Sequence, residues 1–246
     1  LPDSVIVLTA LETLYRESGN TDALEANLRS QLLADDDALS KFQKCMELGR
    51  ILSEDSRNLD AAVQVFEEAK ELDAESLDPS RELRALYTKL QRWNALVEVM
   101  EEEQQRLPSG PARAELTVEL GHVLQGRLGA VDRAMEQYRL ALAEDPHNLE
   151  AIGALQALLG DESNQLQAAL FLDSHFESQG RYEELLRVLE IQCIHAATPE
   201  DLVDVTERLA SVYEDELYAP VKAMEAWAEA LRGGAPFKSM EEIVAA

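Results

Sequence analysis

Four histidines and two cysteines are the side chains best suited to nucleophilic, metal-binding or redox work, and their spacing assembles none of it. His122, His147, His175 and His195 include no pair at the i, i+4 spacing of a zinc-binding helix. Cys193 and His195 are two residues apart, which on a helix points them to different faces. Cys45 and Cys193 sit 148 residues apart inside apolar helical patterns, so they form neither a Cys-x-x-Cys pair nor a disulfide framework. The chain has no Gly-rich phosphate loop and no Gly-x-Ser-x-Gly elbow. Asp35-Asp36-Asp37 and Glu101-Glu102-Glu103 offer carboxylates to a hard cation. Consecutive residues on a helix fan out around its axis, however, and both runs read as solvated faces. The sequence therefore predicts no catalytic centre, no metal site and no cofactor.

The remaining chemistry is that of charge. Asp plus Glu number 48 against 22 Lys plus Arg, a formal net charge of −26. Such a field repels phosphate backbones and anionic lipid surfaces, so the sequence predicts no nucleic-acid partner and no membrane insertion. It suits either simple solubility or a basic partner. Against this background Arg81, Arg84, Lys89 and Arg92 fall within twelve residues. They could dock an acidic peptide or a carboxylate through bidentate guanidinium contacts, or they could neutralise Glu82, Glu98 and neighbouring acidic helices. Trp93 follows them, as an interface anchor or as the closure of an inter-helix corner. Asp204, Glu207 and Glu214 share one face around Ser211, which could receive a basic segment or be merely solvated.

The elements that position these groups repeat. Leu48, Gly49, Ala62, Phe66 and Ala69 return 72 residues later as Leu120, Gly121, Ala134, Tyr138 and Ala141, and again as Leu209, Ala210, Ala223, Trp227 and Ala230. A second unit alternates with this one: Leu11, Tyr15, Leu24 and Leu28 match Leu83, Tyr87, Leu96 and Met100, then Leu172, Phe176, Leu185 and Leu189. From the aromatic of each second-type unit to the leading Leu of the next first-type unit is always 33 residues. Each unit reads as two antiparallel helices with apolar stripes at helical spacing, broken at Ser18-Gly19-Asn20, Asp78-Pro79, Pro108 to Pro111, Asp145-Pro146, Gly160-Asp161, Gly180, Pro199 and Gly233-Gly234. The pattern predicts an all-α chain of about fourteen helices. Approximate repeats cover residues 4–35, 37–74, 79–107, 111–146, 164–196 and 199–233, with one extra helix near 147–162.

The run Leu120-Gly121, Ala134, Tyr138, Ala141, Pro146 resembles a tetratricopeptide repeat, with its Leu-Gly pair in a first helix and small, aromatic, small and proline positions in and after the second. The other Leu-led units are similar, and all three have one residue more in the turn than the family pattern. The alternating units depart further: Leu24, Leu96 and Leu185 stand where the family usually has Ala, and Glu12, Arg84 and Asp173 where it has Gly. Larger residues there are expected to splay the helix pair. The alternation resembles long bacterial arrays of the family. The resemblance implies a right-handed α-solenoid over residues 1–246, whose first helices line a concave wall. On that wall it places Arg81, Lys89, Arg50, His122 and Glu207, together with Met46 and Val118. The Lys and Asn, four apart, of the family's chaperone-tail clamps are missing: the matching positions are Met46 and Arg50, Arg81 and Ala85, or Val118 and His122.

The expected function is thus a non-catalytic scaffold for a protein or peptide, with an acidic segment at Arg81 and Lys89 or a basic one at the acidic C-terminal repeat. The alternative is a structural spacer, or an oligomerisation or regulatory arm of a larger enzyme or secretion assembly. The apolar run Val5 to Leu8 is too short to span a bilayer and lacks a basic leader, and the expected compartment is the cytoplasm. A chain that begins at Leu1 without an initiator Met is expected to be a segment of something longer.

Overall fold

The computed structural model describes residues 2–54 and 58–233. Among them are thirteen α-helices, one π-helical turn and no strand. The helices are α1 (Pro2–Ser18), α2 (Thr21–Ala34), α3 (Ala38–Glu54), α4 (Leu59–Leu72), α5 (Asp78–Lys89), α6 (Trp93–Arg106), α7 (Pro111–Leu128), α8 (Val131–Glu144), α9 (Leu149–Leu158), α10 (Gln165–Ser178), α11 (Tyr182–Ile194), α12 (Pro199–Ser211) and α13 (Pro220–Arg232). The π turn, Val212–Glu216, follows α12 directly. Gly234 and residues 55–57 lie outside the described residues.

The breakers act as their chemistry requires. Proline stands in the first turn of α5, α7, α12 and α13, where its missing N–H costs nothing. Thr198 and Asp201 close a reciprocal capping box on α12, each side chain accepting from the other's backbone N–H. Gly129 ends α7 with φ at +64°, a left-handed conformation that glycine adopts without a Cβ penalty.

The chain forms two compact units that divide after Leu107, the first holding α1 to α6 and the second α7 to α13. Within each, every helix packs on its neighbours in sequence. Short turns reverse the chain between them.

Two different joints hold the helix pairs together. In α3–α4 and α7–α8 a glycine lies under an aromatic ring: a Cβ on Gly49 would come within 2.6 Å of the Phe66 ring, and one on Gly121 within 2.4 Å of Tyr138. Both rings are fully buried. The second joint is polar and sits where the other units have no glycine. Gln31 donates to Glu12 at 2.7 Å, Arg84 to Glu103 at 3.0 Å and Gln192 to Asp173 at 2.8 Å, each pair 19 residues apart across α1–α2, α5–α6 and α10–α11. Gln31, Glu103 and Gln192 are only 2, 4 and 6 % exposed. A polar side chain buried this deeply is tolerated because a partner meets it.

The glycine pairs make the most extensive helix-to-helix contact, and the polar pairs less. Where the third Leu-led unit carries Ala210, its α12–α13 pair groups with the looser ones and Trp227 is half-buried. One expectation is corrected here. Glu103 is not part of a solvated acidic face: it points into the α5–α6 joint and is matched by Arg84. Asp35 to Asp37 lie in the turn before α3, where Asp35 accepts from Lys44 and Ser40, and Asp37 accepts from the Ser40 N–H at 2.8 Å.

Candidate functional site

The cationic stretch of α5 and its exit is largely occupied within its own unit. Arg84 reaches Glu103 at 3.0 Å, and Arg92 in the following turn pairs with Asp60 of α4 at 2.5 Å. Arg81 is 59 % exposed in its side chain and makes only long contacts, 3.5 Å to Asp78 and 3.8 Å to Glu103. Arg50 spans from α3 to Glu82 of α5 at 3.0 Å, as Arg16 spans from α1 to Glu47 of α3 at 2.6 Å. Lys89 is exposed at the last turn of α5 and has no ion pair among the described residues. Trp93 opens α6 and is half-buried. The sequence anticipated Glu82 and Glu98 as the neutralising carboxylates; Glu82 is used by Arg50, and the burden on Arg84 falls to Glu103.

His122 is similarly engaged. Its Nε2 lies 3.0 Å from Glu150 of α9 and its Nδ1 lies 3.0 Å from the Tyr138 hydroxyl, which donates to Gln125 at 2.9 Å. The imidazole thereby joins α7 to both α8 and α9. Burial, and then the Glu150 charge, push the Tyr138 phenol up to about 12.

Asp204, Glu207 and Glu214 are all exposed in α12 and the π turn, and Ser211 between them donates to Asp215 at 2.8 Å. Glu207 has no ion pair among the described residues. Met46 and Val118, which the repeat mapping places on the wall with these groups, are buried instead. Each sits on the edge of its helix that turns inward, and neither can meet a partner.

One concave feature was not anticipated. An open groove of about 590 Å³ lies between α11, α12 and α13. Leu202 and Leu209 of α12 and Ala226 and Ala230 of α13 give it an apolar floor, and Ile194 of α11 and Tyr213 of the π turn flank it. Glu190, Glu225 and Glu229 line it as well, with Lys222 the single cation, its Nζ 5.7 Å from the centre of the Tyr213 ring. The signal for it was present: Leu202, Thr206 and Leu209 make an i, i+4, i+7 stripe, and alanines at 226 and 230 face it one turn apart.

Nothing in the groove is arranged for covalent chemistry. The Cys193 thiol contacts the Thr206 hydroxyl at 3.8 Å, and burial pushes it above its ordinary range; Cys45 is raised to about 11 by burial, then by Glu68. Thiols so protonated are poor nucleophiles. Among the described residues no three His, Cys, Asp or Glu side chains gather around a point that could hold a metal. No helix among them is long and apolar enough to cross a membrane.

No family model and no curated protein matches the sequence. Several solved structures are similar to it at low identity. A tetratricopeptide repeat protein from Parabacteroides merdae is 12 % identical with a TM-score of 0.46, over 98 % of this chain and 97 % of that one. The C-terminal part of a TPR repeat-containing protein from Cytophaga hutchinsonii is 17 % identical with a TM-score of 0.46, over 98 % and 93 %. MamA from Desulfovibrio magneticus RS-1 is 16 % identical with a TM-score of 0.44, over 73 % and 97 %. The helix pairs are tetratricopeptide-like. What fixes this within the chain is the glycine beneath an aromatic ring in α3–α4 and α7–α8. The likeness concerns architecture alone.

Proposed function

We propose that this protein is a non-catalytic scaffold that binds a protein or peptide partner on the exposed wall of its first helices. The observation that carries this reading is how the charged side chains divide. Several at joints between helices are matched, as in Arg16–Glu47, Arg50–Glu82, Arg84–Glu103 and Arg208–Asp173. Lys89 of α5 and Glu207 of α12 project from first helices unmatched, and Arg81 is held only loosely. Groups already mounted on packed helices lose little further freedom on meeting a partner, so even a few contacts count. An acidic segment would engage Arg81 and Lys89, and a basic one the Asp204, Glu207 and Glu214 face.

The internal pairing of Arg50, Arg84 and Arg92 favours the alternative, a spacer or assembly arm whose charges serve its own stack. Affinity capture separates the two. With the chain as bait, the double variant Arg81→Glu/Lys89→Glu or the single Glu207→Lys is expected to lose a partner that the unaltered chain retains. A bound set unchanged by both variants refutes the scaffold reading and leaves the spacer.

A further inference from the structure

We propose that the groove between α11, α12 and α13 is a docking site for an amphipathic helix that carries lysine or arginine beside its apolar stripe. The floor supplies the apolar half of the fit. Leu202 and Leu209 stand on one side, and on the other Ala226 and Ala230 leave a depression where longer side chains would fill the space. Glu225 and Glu229 supply the polar half. Both are exposed, neither has an ion pair among the described residues, and they sit one turn apart on α13. Like charges at i, i+4 destabilise the helix that carries them. A cation seated between them relieves that repulsion and gains two partners.

Glu190 faces the same groove and accepts only a long 3.5 Å hydrogen bond from Tyr213. Lys222 does not answer this charge, since its ammonium lies over the Tyr213 ring. The contrast with other joints is direct: carboxylates between helices elsewhere, such as Glu47, Glu82 and Glu103, each have an arginine. A helical occupant follows from what the walls are made of. With no strand among the described residues there is no sheet edge for an extended segment to join, and the anchors on the walls, Leu202, Thr206 and Leu209 facing Ala226 and Ala230, recur at the spacing that a docked helix presents. This site is separate from the first-helix wall, and the two proposals fail separately.

The test is fluorescence anisotropy of the full chain, at physiological salt, with two labelled designed helices sharing one leucine stripe: one flanked by lysine, the other by glutamate. The lysine helix is expected to bind and the glutamate helix not to. Glu225→Lys/Glu229→Lys and, separately, Ala226→Trp are each expected to weaken the lysine helix about tenfold or more, as loss of a central anchor does. Reversal of Glu17 and Glu71, exposed carboxylates of α1 and α4 in the other compact unit, is expected to cost less than about threefold because exposed charges away from the site are screened. Circular dichroism of each variant confirms that the helices remain. Equal binding of the two designed helices, binding of neither, or equal loss on reversing Glu17 and Glu71 overturns the proposal. So does displacement of the lysine helix by a synthetic peptide of residues 234–246, which would make the chain's own end the occupant. A dimer in sedimentation that Glu225→Lys/Glu229→Lys splits would assign the groove to a second copy and equally overturn it.

Discussion

The polar joints can be tested most sharply at Asp173. Its two carboxylate oxygens accept from Arg208 at 2.8 and 2.6 Å and from Gln192 at 2.8 Å, tying α10 to both α11 and α12. In Asp173→Leu, Arg208 remains largely solvated and still has Glu177 within 3.4 Å, so most of the cost falls on Gln192. A buried amide left without its acceptor costs about 1–3 kcal/mol. In Gln192→Leu the carboxylate keeps Arg208, and the cost is that of one charge-assisted hydrogen bond, about 1.5–3 kcal/mol. The double variant Asp173→Leu/Gln192→Leu leaves neither group stranded and places two apolar side chains against each other. It is expected to be about 2 kcal/mol more stable than the sum of the singles implies. Urea unfolding followed by circular dichroism supplies the free energies. Hydrogen exchange in α10 and α11 shows whether the loss is local, since stacked helix pairs need not unfold in one step. Additive or worse-than-additive losses in the double variant would refute the claim that the two residues form one buried joint.

The same joint gives a pH dependence. Burial pushes the Asp173 carboxyl up, but hydrogen bonds from Arg208 and Gln192 outweigh it and hold the group below its ordinary value of 3.8. A depressed folded-state pKa gives stability that is present above the unfolded value and lost as pH falls through the folded one. The stability gap between the unaltered chain and Asp173→Leu is therefore expected to shrink below about pH 4 in urea melts. In α7, Gly121→Ala and Gly126→Ala are expected to act with opposite sign. The first drives a Cβ to 2.4 Å from a buried ring and costs about 1–3 kcal/mol, while the second meets nothing within 4 Å and gains up to about 1 kcal/mol of helix propensity in thermal unfolding. Tyr138→Phe removes the hydroxyl that meets both His122 and Gln125, and is expected to cost about 1 kcal/mol and raise exchange in the α7–α8 pair.

The contrast between the two joints also accounts for what the sequence made legible. A glycine beneath a ring admits one residue type at one position and an aromatic at another, so Gly49 with Phe66 and Gly121 with Tyr138 announce themselves by identity and spacing alone. The helix breakers are legible for the same reason, because proline and left-handed glycine act through their own backbone. The polar joints are different in kind. Glu12, Arg84 and Asp173 read individually as departures from a repeat pattern and Glu103 as part of a solvated run, while Gln31 and Gln192 carry no signal as single letters. Only their shared separation of 19 residues reveals that each departure in a first helix is met by a buried polar group in the second. Two different chemistries fill that joint: a first-helix carboxylate with a second-helix amide in Glu12–Gln31 and Asp173–Gln192, and guanidinium with carboxylate in Arg84–Glu103. Gln31 and Gln192 match in letter, but Glu103 and the first-helix residues Glu12, Arg84 and Asp173 do not, so the property all three joints share is complementarity, which a search for matching letters passes over. The cations of α5 were obscured for a related reason. Whether Arg84 meets Glu103 or a partner protein depends on which helix lies beside it, and that is a property of the packed pair rather than of either segment. The unmatched carboxylates Glu225 and Glu229 carry functional meaning only against joints such as those at Glu47, Glu82 and Glu103, where an arginine meets the carboxylate.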